Sequence, residues 1–373
     1  MNPNLFRRTR IGTTCLVAAA LLGPAAIGCT PSSTPADLAA TIEERIDTGL
    51  EMLDPHDRIR AVIVWQRGDP LVERYVDSTP DDYWDTRSVT KSVASTLVGI
   101  AIDRGLIPGV ESTLGELLPS YSADLTPETS SISLRDVLTH TANFLTEADD
   151  DEAVWGSTDL VRAILNDRAA RGPSEGQFRY SDAGAHILAA ILVEATEMSV
   201  LDFARRYLLD PLGVVSRPGW EVAAATTSED WEATLDSFDA ADFAWPADAQ
   251  GIHFGHANLR LRPSDLARFG QLYLSRGVVD SEQIVSEAWV AEATAPRVYA
   301  GAMTSEYGYQ WWVEREEGYF CALGRGGTAV LVHPQKDAVI VVASQIDARD
   351  VAAGTLSTEN ALYLATSILA ELE

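Results

Sequence analysis

Stretches with the pattern of β-strands occur at both ends of the chain, whereas the long region between them is mostly helical in pattern. Near the start, residues 59–66 and 71–76 have the pattern of two strands that a turn at 67–70 joins into a hairpin. Strand patterns return only late in the chain, at residues 309–313, 321–323, 328–332 and 338–344. Because strands must find partners for their backbone groups, this order predicts an α+β fold with one antiparallel sheet built from both chain ends. Helices would pack on this sheet, with a helical insertion beside it.

The helical patterns run through the middle of the chain and return at its end. The longer ones cover residues 36–50, 88–105, 183–198, 263–276 and 357 onward, and shorter ones are capped by Ser133, opened by Ser157, or capped by Ser199 with Asp202. Of the 373 residues, 46% are hydrophobic, which is enough for one large core or two closely packed ones. We predict one domain over 39–373, with its sheet part at 39–87 and 296–373 and its mainly helical part at 88–295.

Ser88 and Lys91 lie three residues apart at the predicted start of a helix, where they would share one face. The first helical turn offers unpaired backbone N–H groups and the positive helix end, which favour a developing negative charge. Lysine is rare here, because only Lys91 and Lys336 occur among 28 basic residues. Unlike arginine, a desolvated lysine can drop its pKa and take a proton from a neighbouring hydroxyl. Taken alone, the pair is better explained by an N-cap serine and a surface lysine, so other motifs must decide.

Tyr180 and Asp182 lie in a second segment, residues 176–182, just before a predicted helix. A tyrosine beside a deprotonatable lysine could be held as phenolate or relay a proton, as base for Ser88 and later as acid for the leaving group. The ordinary alternative is a surface aromatic at Tyr180 and a helix N-cap at Asp182.

A third segment, residues 324–328, opens a predicted strand with three glycines. Gly326 and Gly327 would let a substrate lie against the strand edge, the Thr328 N–H could face an oxyanion, and Arg325 could hold a carboxylate or polarise the site. The alternative is a glycine-rich hairpin or bulge with no role in chemistry.

Together these segments resemble the motifs of the serine hydrolase family that contains class C β-lactamases, penicillin-binding DD-peptidases and related esterases and amidases. Ser88 with Lys91 matches its Ser-x-x-Lys motif, Tyr180 its Tyr-x-Asn motif and residues 325–327 its Lys-Thr-Gly motif, in the family's order. The resemblance covers about residues 55–370, and the residues around Ser88 look most like the branch with 6-aminohexanoate-dimer hydrolase and carboxylesterases. It implies a β-lactamase/transpeptidase-like fold, a nucleophilic Ser88 and chemistry without a metal or cofactor.

Two positions depart from the family's pattern. Asp182 stands where the second motif has asparagine, which removes an amide donor for a substrate carbonyl. Arg325 with Gly326 replaces Lys-Thr, which removes a hydroxyl that helps β-lactamases bind the substrate carboxylate. Both changes weaken the case for β-lactam hydrolysis more than the case for acyl transfer.

The first residues predict export. Three arginines precede an apolar run over residues 11–27, and Ala26 to Cys29 resembles a bacterial lipobox with alanine in place of the usual leucine. We therefore predict a lipoprotein-type signal peptide over 1–29, lipidation of Cys29, a Pro/Ser-rich tether over 30–38, and a membrane-anchored protein of the cell envelope. Plain secretion and an uncleaved membrane anchor remain alternatives.

Composition and motifs also exclude several classes of protein. A formal charge of −27 makes nucleic acid an improbable partner, and three cysteines do not form a disulfide framework. The chain lacks Gly-x-Ser-x-Gly and a phosphate loop. His253 and His256 suggest half a metal site without a third ligand, and His140 is best explained as a buried structural histidine.

The sequence thus predicts an exported serine hydrolase that cleaves an ester or amide bond of a small-molecule or peptide-like substrate. Lys91 and Tyr180 would deprotonate Ser88, the acyl carbonyl oxygen would lie between the Ser88 and Thr328 N–H groups, and water would release the acyl group. The alternatives are a catalytically silent envelope protein that binds a peptidoglycan-type ligand, or a true β-lactamase or DD-peptidase. The intact trio of Ser88, Lys91 and Tyr180 favours an enzyme.

Overall fold

A computed structural model of the chain describes residues 34–53, 58–146, 149, 151–172, 176–220, 234, 236–345 and 358–372. The described part has one compact unit, Pro35–Glu373. The predicted signal peptide, Cys29 and most of the predicted tether lie outside the described residues. Residues 35–38, also predicted as tether, are instead the first turn of a helix.

The main sheet has eight strands in the order β2-β1-β12-β11-β10-β9-β8-β7, and all its neighbours are antiparallel. These strands are β1 Ile59–Gln66, β2 Asp69–Tyr75, β7 Val298–Tyr299, β8 Glu306–Tyr307, β9 Trp312–Glu314, β10 Tyr319–Gly324, β11 Thr328–His333 and β12 Ala338–Ser344. The early hairpin pairs with β12, for example Val62 opposite Val342. The prediction of an α+β fold with an antiparallel sheet from both chain ends is therefore confirmed.

Two further ribbons lie outside this sheet. Strand β3 Trp84–Asp85 pairs with β4 Arg260–Leu261, and β5 Val278–Val279 pairs with β6 Glu282–Gln283. The first ribbon is important for the site, because it pairs the segment just before the Ser88 helix with a segment about 170 residues later in the chain, near the end of the helical region.

The helices divide between the two faces of the sheet. In chain order they are α1 Pro35–Met52, α2 Val89–Asp103, α3 Leu114–Leu117, α4 Pro127–Ser130, α5 Leu134–Leu138, α6 Glu152–Trp155, α7 Leu160–Ala170, α8 Asp182–Thr196, α9 Val200–Ala204, α10 Pro263–Leu274, α11 Glu287–Ala293 and α12 Thr358–Leu369. One turn of π-helix, Arg205–Leu209, continues α9. Within the described residues no helix is long and apolar enough to cross a membrane.

Both faces of the sheet are buried, so its central strands are apolar without alternation. On β12, Val339 and Val341 pack into the core that contains α2, α8 and α10, whereas Ile340 and Val342 pack into the core beneath α1 and α12. Successive side chains of a strand point to opposite faces, so each core takes every second residue. This three-layer arrangement places the N-terminal end of α2 against β10.

Two local predictions were wrong. Helix α7 is capped by Asp159, whose side chain accepts the Arg162 N–H, rather than opened by Ser157. Residues 309–311 precede β9 instead of forming its start, because the carbonyls of Tyr309 and Gln310 accept hydrogen bonds from α2 hydroxyls and Gln310 has a left-handed φ of 62°. The other strands and the caps at Ser133 and Ser199 agree with the predictions.

Candidate active site

Ser88 occupies the N-cap position of α2, yet its side chain forms no capping hydrogen bond. Its Oγ instead accepts a hydrogen bond from Lys91 Nζ at 2.9 Å. An N-cap hydroxyl normally bonds the N–H of the second or third helical residue, so the ordinary explanation of Ser88 as a helix cap does not apply. The hydroxyl lies where the positive end of a 15-residue helix favours negative charge.

The turn before Ser88 is fixed by one buried carboxylate. Asp85 accepts the Arg87 backbone N–H at 2.8 Å and lies 3.1 Å from the Arg87 Nε. Its second oxygen accepts from the Asn258 side chain at 3.0 Å. Arg87 has a φ of 49°, a conformation that non-glycine residues adopt only when their surroundings enforce it. Asp85 therefore orients the chain that presents the Ser88 hydroxyl.

Lys91 is buried, and oxygen atoms of Ser88, His256, Asp182 and Tyr180 surround its ammonium. Nζ donates to Ser88 Oγ and to the His256 carbonyl, each at 2.9 Å, and lies 2.6 Å from Asp182 Oδ1. Burial disfavours the charged form, but the carboxylate of Asp182 and the nearby Tyr180 outweigh it and raise the pKa of Lys91 above its usual value. The expectation that desolvation would lower this pKa is wrong, because the ion pair with Asp182 reverses the sign.

Tyr180 lies on the loop that enters α8, and its ring faces the Lys91 ammonium at 4.7 Å from the ring centroid. The Tyr180 ring also stacks on the ring of Trp312, with 5.6 Å between the ring centroids and 21° between the ring planes. Burial raises the pKa of the Tyr180 phenol, and the charge of Lys91, together with side-chain hydrogen bonds to Ser88 and Lys91, only partly offsets this. The phenol is therefore protonated at neutral pH and can donate a proton to a leaving group.

His140 accepts hydrogen bonds from the backbone N–H groups of both residues that flank Tyr180. Its carbonyl accepts the Arg179 N–H at 2.8 Å, and its Nδ1 accepts the Ser181 N–H at 3.3 Å. The imidazole also packs 4.8 Å from the Tyr180 ring. Burial lowers the pKa of His140 to about 3, so the ring is neutral and can accept. The prediction of a buried structural histidine bonded to backbone agrees with this geometry.

Asp182 is the first residue of α8, and the cap of that helix is Ser181, whose Oγ accepts the Gly184 N–H at 2.9 Å. Asp182 is therefore not the N-cap that the sequence offered as an alternative. Burial raises the pKa of its carboxyl, but the charge and hydrogen bond of Lys91, together with His256 and His140, outweigh this and lower the pKa to about 2. The first turn of α8 adds a favourable field for the anion.

The third predicted segment, residues 324–328, lies partly in two strands and partly in the turn between them. Arg325, Gly326 and Gly327 form the turn between β10 and β11, and both glycines have a φ near 90° that other residues rarely adopt. The end of β10 packs directly on the chain before Ser88, since a Cβ on Gly324 would lie 2.4 Å from the Thr86 carbonyl oxygen. Thr328 is buried at the start of β11, opposite Gly324.

A cavity of about 460 Å³ opens above Ser88. Besides Ser88, Tyr180 and Asp182, the sequence-predicted residue that lines it is Arg325, which is exposed. Gly326, Gly327 and Thr328 are not among its lining residues, so the structure does not bring the predicted Thr328 donor to the cavity wall. Sequence reasoning missed several residues that do line it, namely Arg87, His256, Asn258, Met303, Trp312 and Leu323.

His256 enters this site in a role that the sequence did not suggest. It lines the cavity, its carbonyl accepts from Lys91, and burial lowers the pKa of its ring to about 3. His253 does not line the cavity, and in the described part of the chain no three His, Cys, Asp or Glu side chains form a cluster that could hold a metal. The neighbouring His186 bonds to Asp248 at 3.1 Å.

The arrangement of a helix-start serine, a buried lysine and a facing tyrosine agrees with comparisons across known proteins. A family model described as Beta-lactamase matches residues 57–365. The chain belongs to the beta-lactamase family. The resemblance stated from the motifs is therefore confirmed. One relative, the 6-aminohexanoate-dimer hydrolase of Paenarthrobacter ureafaciens, is 26% identical over 314 residues, which cover 75% of this chain and 71% of the relative.

Solved structures support the same fold. A penicillin-binding protein homologue from Caulobacter crescentus matches with a TM-score of 0.66 at 17% identity, over 90% of this chain and 98% of that chain. A beta-lactamase from Sulfitobacter sp. EE-36 matches with a TM-score of 0.61 at 17% identity, over 91% of this chain and 99% of that chain. The family and the fold therefore support a serine hydrolase of the beta-lactamase fold.

Proposed function

We propose that this protein hydrolyses an ester or amide bond through an acyl-enzyme on Ser88, with Lys91 and Tyr180 moving the protons. One observation supports this above all others. The Ser88 hydroxyl is not used as a helix cap, bonds the buried Lys91 at 2.9 Å and lines an open cavity under Tyr180. A hydroxyl activated by a neighbouring proton carrier at a helix N-terminus is the arrangement that nucleophilic catalysis requires.

In the proposed reaction the Ser88 oxygen attacks the substrate carbonyl while its proton leaves through Lys91. The oxyanion would accept hydrogen bonds from the Ser88 N–H and from a second backbone N–H. Leu323 and Arg325 line the cavity and Thr328 does not, so the end of β10 is better placed than Thr328 to supply the second N–H. Tyr180 then protonates the leaving group, and water repeats the cycle on the acyl-enzyme. Arg325 would orient the substrate from the rim.

The substrate would be a small molecule or a peptide-like ester or amide. The name of the 26% identical relative favours the amide branch, and the replacement of Asn and Lys-Thr by Asp182 and Arg325-Gly326 argues against a β-lactam. We further propose export through the predicted signal and anchoring in the cell envelope by a lipid on Cys29. Mass spectrometry of the membrane fraction, in wild type and Cys29→Ala, would test the anchor.

The decisive experiment is the intact mass of the purified chain before and after treatment with a fluorophosphonate, beside Ser88→Ala. A single adduct that the variant lacks is expected, followed by turnover of short esters or amide oligomers. A folded wild type that gains no adduct would reject the proposal and favour the silent ligand-binding protein. Faster turnover of β-lactams than of esters and amides would instead identify a β-lactamase.

A further inference from the structure

We infer that Asp182 is the final proton acceptor in acylation, reached from Ser88 through Lys91. The inference rests on the proposed function, because it names the group that completes the reaction of Ser88. It also gives a chemical role to the position where this chain departs from the family's asparagine.

Lys91 cannot accept a proton without passing one on. An ammonium group has three N–H bonds and no acceptor site, so it can take up a proton only as it releases another to one of its oxygen neighbours. Of these neighbours, Ser88 is the group that must lose its proton, and the His256 carbonyl is not a base. The Asp182 carboxylate, 2.6 Å away, is the neighbour with a negative charge and can be protonated.

Tyr180 cannot take this proton, although its side chain forms hydrogen bonds with both Ser88 and Lys91. Its phenol is already protonated, since burial raises its pKa and the Asp182 anion raises it further. Lys91 faces the Tyr180 ring at 4.7 Å from its centroid, which stabilises the ammonium by a cation–π contact. The resting site therefore contains one cation, one anion and a neutral phenol, and the anion is the base.

The proton steps balance over one acyl transfer. As the Ser88 oxygen forms its bond to the carbonyl carbon, its proton passes to Lys91, and Lys91 releases a different proton to Asp182, which becomes a neutral carboxylic acid. When the bond to the leaving group breaks, Tyr180 gives that group its proton. Tyr180 recovers a proton from Lys91, and Lys91 recovers one from Asp182, so the resting charges return.

The groups around Asp182 are arranged so that this transfer is possible. Lys91 faces it from α2, Tyr180 from the preceding loop, His140 from the loop after α5 and His256 from the loop before β4. The pKa of each histidine is lowered to about 3 by burial, so both rings are neutral at neutral pH and do not compete for the anion. Proton transfer to Asp182 neutralises its carboxylate while Lys91 remains an ammonium, so the negative charge of the site moves to the oxyanion at the start of α2, where the helix N-terminus favours it.

The test measures the rate of Ser88 labelling by a fluorophosphonate from about pH 4 to about pH 10 in the full chain. We compare wild type with Asp182→Asn, Asp182→Glu and Asp248→Asn. The last is a matched control, because Asp248 is another buried acid beside α8 that does not contact Lys91. Thermal unfolding of each variant reports folding separately.

Without its acceptor, Lys91 must itself become neutral, so Asp182→Asn should lose about 100-fold in labelling rate near pH 6. Its rate should recover in alkali, with the acid limb of the profile moved up by about two pH units or more. Asp182→Glu should keep the acid limb near its wild-type position at a reduced rate, and Asp248→Asn should leave the profile unchanged. A structural role of Asp182 would lower the rate equally at all pH values.

A folded Asp182→Asn with the wild-type profile would overturn the inference and leave the proposed hydrolase intact. Absence of labelling in wild type would instead reject the hydrolase itself. If Asp182→Asn does not fold, Asp182→Glu decides, because an acid limb above neutral pH in that variant contradicts a carboxylate acceptor.

Discussion

Two buried acid–base pairs share helix α8, and they differ in what surrounds them. Asp182, in the first turn, pairs with Lys91 beside the Ser88 hydroxyl, and Asp182 lines the open cavity. His186, one turn later, pairs with Asp248, whose carboxylate also accepts the Gln250 and Ile252 N–H groups at 2.9 Å. We name these groups the Lys91 cluster and the Asp248 cluster.

The Asp248 cluster is shielded from solvent, because both side chains are at most 3% exposed. Its carboxylate accepts hydrogen bonds from backbone N–H groups of its own loop and from His186. In the Lys91 cluster, Asp182 remains 29% exposed and the hydroxyl of Ser88 has no capping role. Burial and ion pairing thus do not distinguish a catalytic group from a structural one. The two clusters are distinguished by access to a cavity and by a hydroxyl group that has no structural hydrogen bond as a helix cap.

Lys91→Met should have the largest effect. Loss of the proton carrier should lower the hydrolysis rate at least about 1,000-fold, and the Asp182 carboxylate left without its partner should cost about 3 kcal/mol of stability. Adding Asp182→Asn should recover the stability but not the activity, as measured by urea unfolding and by turnover. If the double variant regained activity, the Lys91 cluster would have no more catalytic role than the Asp248 cluster.

Asp248→Asn should show the opposite behaviour. Replacing a carboxylate that accepts from His186 and two backbone N–H groups should lower the free energy of unfolding by about 2 kcal/mol. Turnover per folded molecule should stay within about twofold, because no atom of the Asp248 cluster lines the cavity. Urea unfolding and kcat/KM check the two parts, and a large fall in kcat at full folding would remove the contrast.

Stability should also fall in mild acid because of two histidines near the Lys91 cluster. Burial lowers the pKa of His140 and His256 from 6.5 to about 3, so below pH 6.5 the unfolded chain binds protons that the folded chain refuses. Each histidine should cost up to about 1.4 kcal/mol per pH unit until the pH reaches its folded pKa. Urea midpoints measured against pH should give a shallower slope for His140→Asn than for wild type, and equal slopes would contradict the assignment.

His140→Phe should have the smallest effect and should fall on kcat. The phenyl ring keeps the contact with Tyr180 but cannot accept the Ser181 N–H, so the phenol is held less accurately. We expect a loss of about 10-fold in kcat with KM within about twofold. His333→Phe is the control, because His333 Nδ1 accepts a backbone N–H from Lys336 in the same way, but outside the cavity lining. Equal losses in both variants would assign His140 to stability alone.

Local pattern predicted much of the fold. Strands β1 and β12 agree with the structure to the residue and α2 begins one residue after the predicted position, because apolar periodicity and turn residues act within a few positions. The strands β7 and β8 were missed, since each has only two residues and no pattern of its own. Residues 309–311 are not part of β9, because hydroxyl groups more than 200 residues earlier in the chain donate hydrogen bonds to the carbonyls of Tyr309 and Gln310.

The candidate site was predicted in its identities and only partly in its geometry. Ser88, Lys91, Tyr180, Asp182 and Arg325 do surround or line one cavity, but Thr328 lies on the neighbouring strand and Leu323 lines the wall instead. His256 approaches Lys91 across 165 residues, a contact that spacing cannot reveal.

The sequence by itself determined which residues are candidates for the chemistry, because a serine three residues before a rare lysine at a helix start places both groups on one face. Only the tertiary structure decided the charge of that lysine. Burial alone would have lowered the pKa of Lys91, but the fold of α8 places the Asp182 carboxylate 2.6 Å from its ammonium and raises this pKa. Electrostatic energy depends on distances between groups far apart in the chain, and those distances exist only after folding.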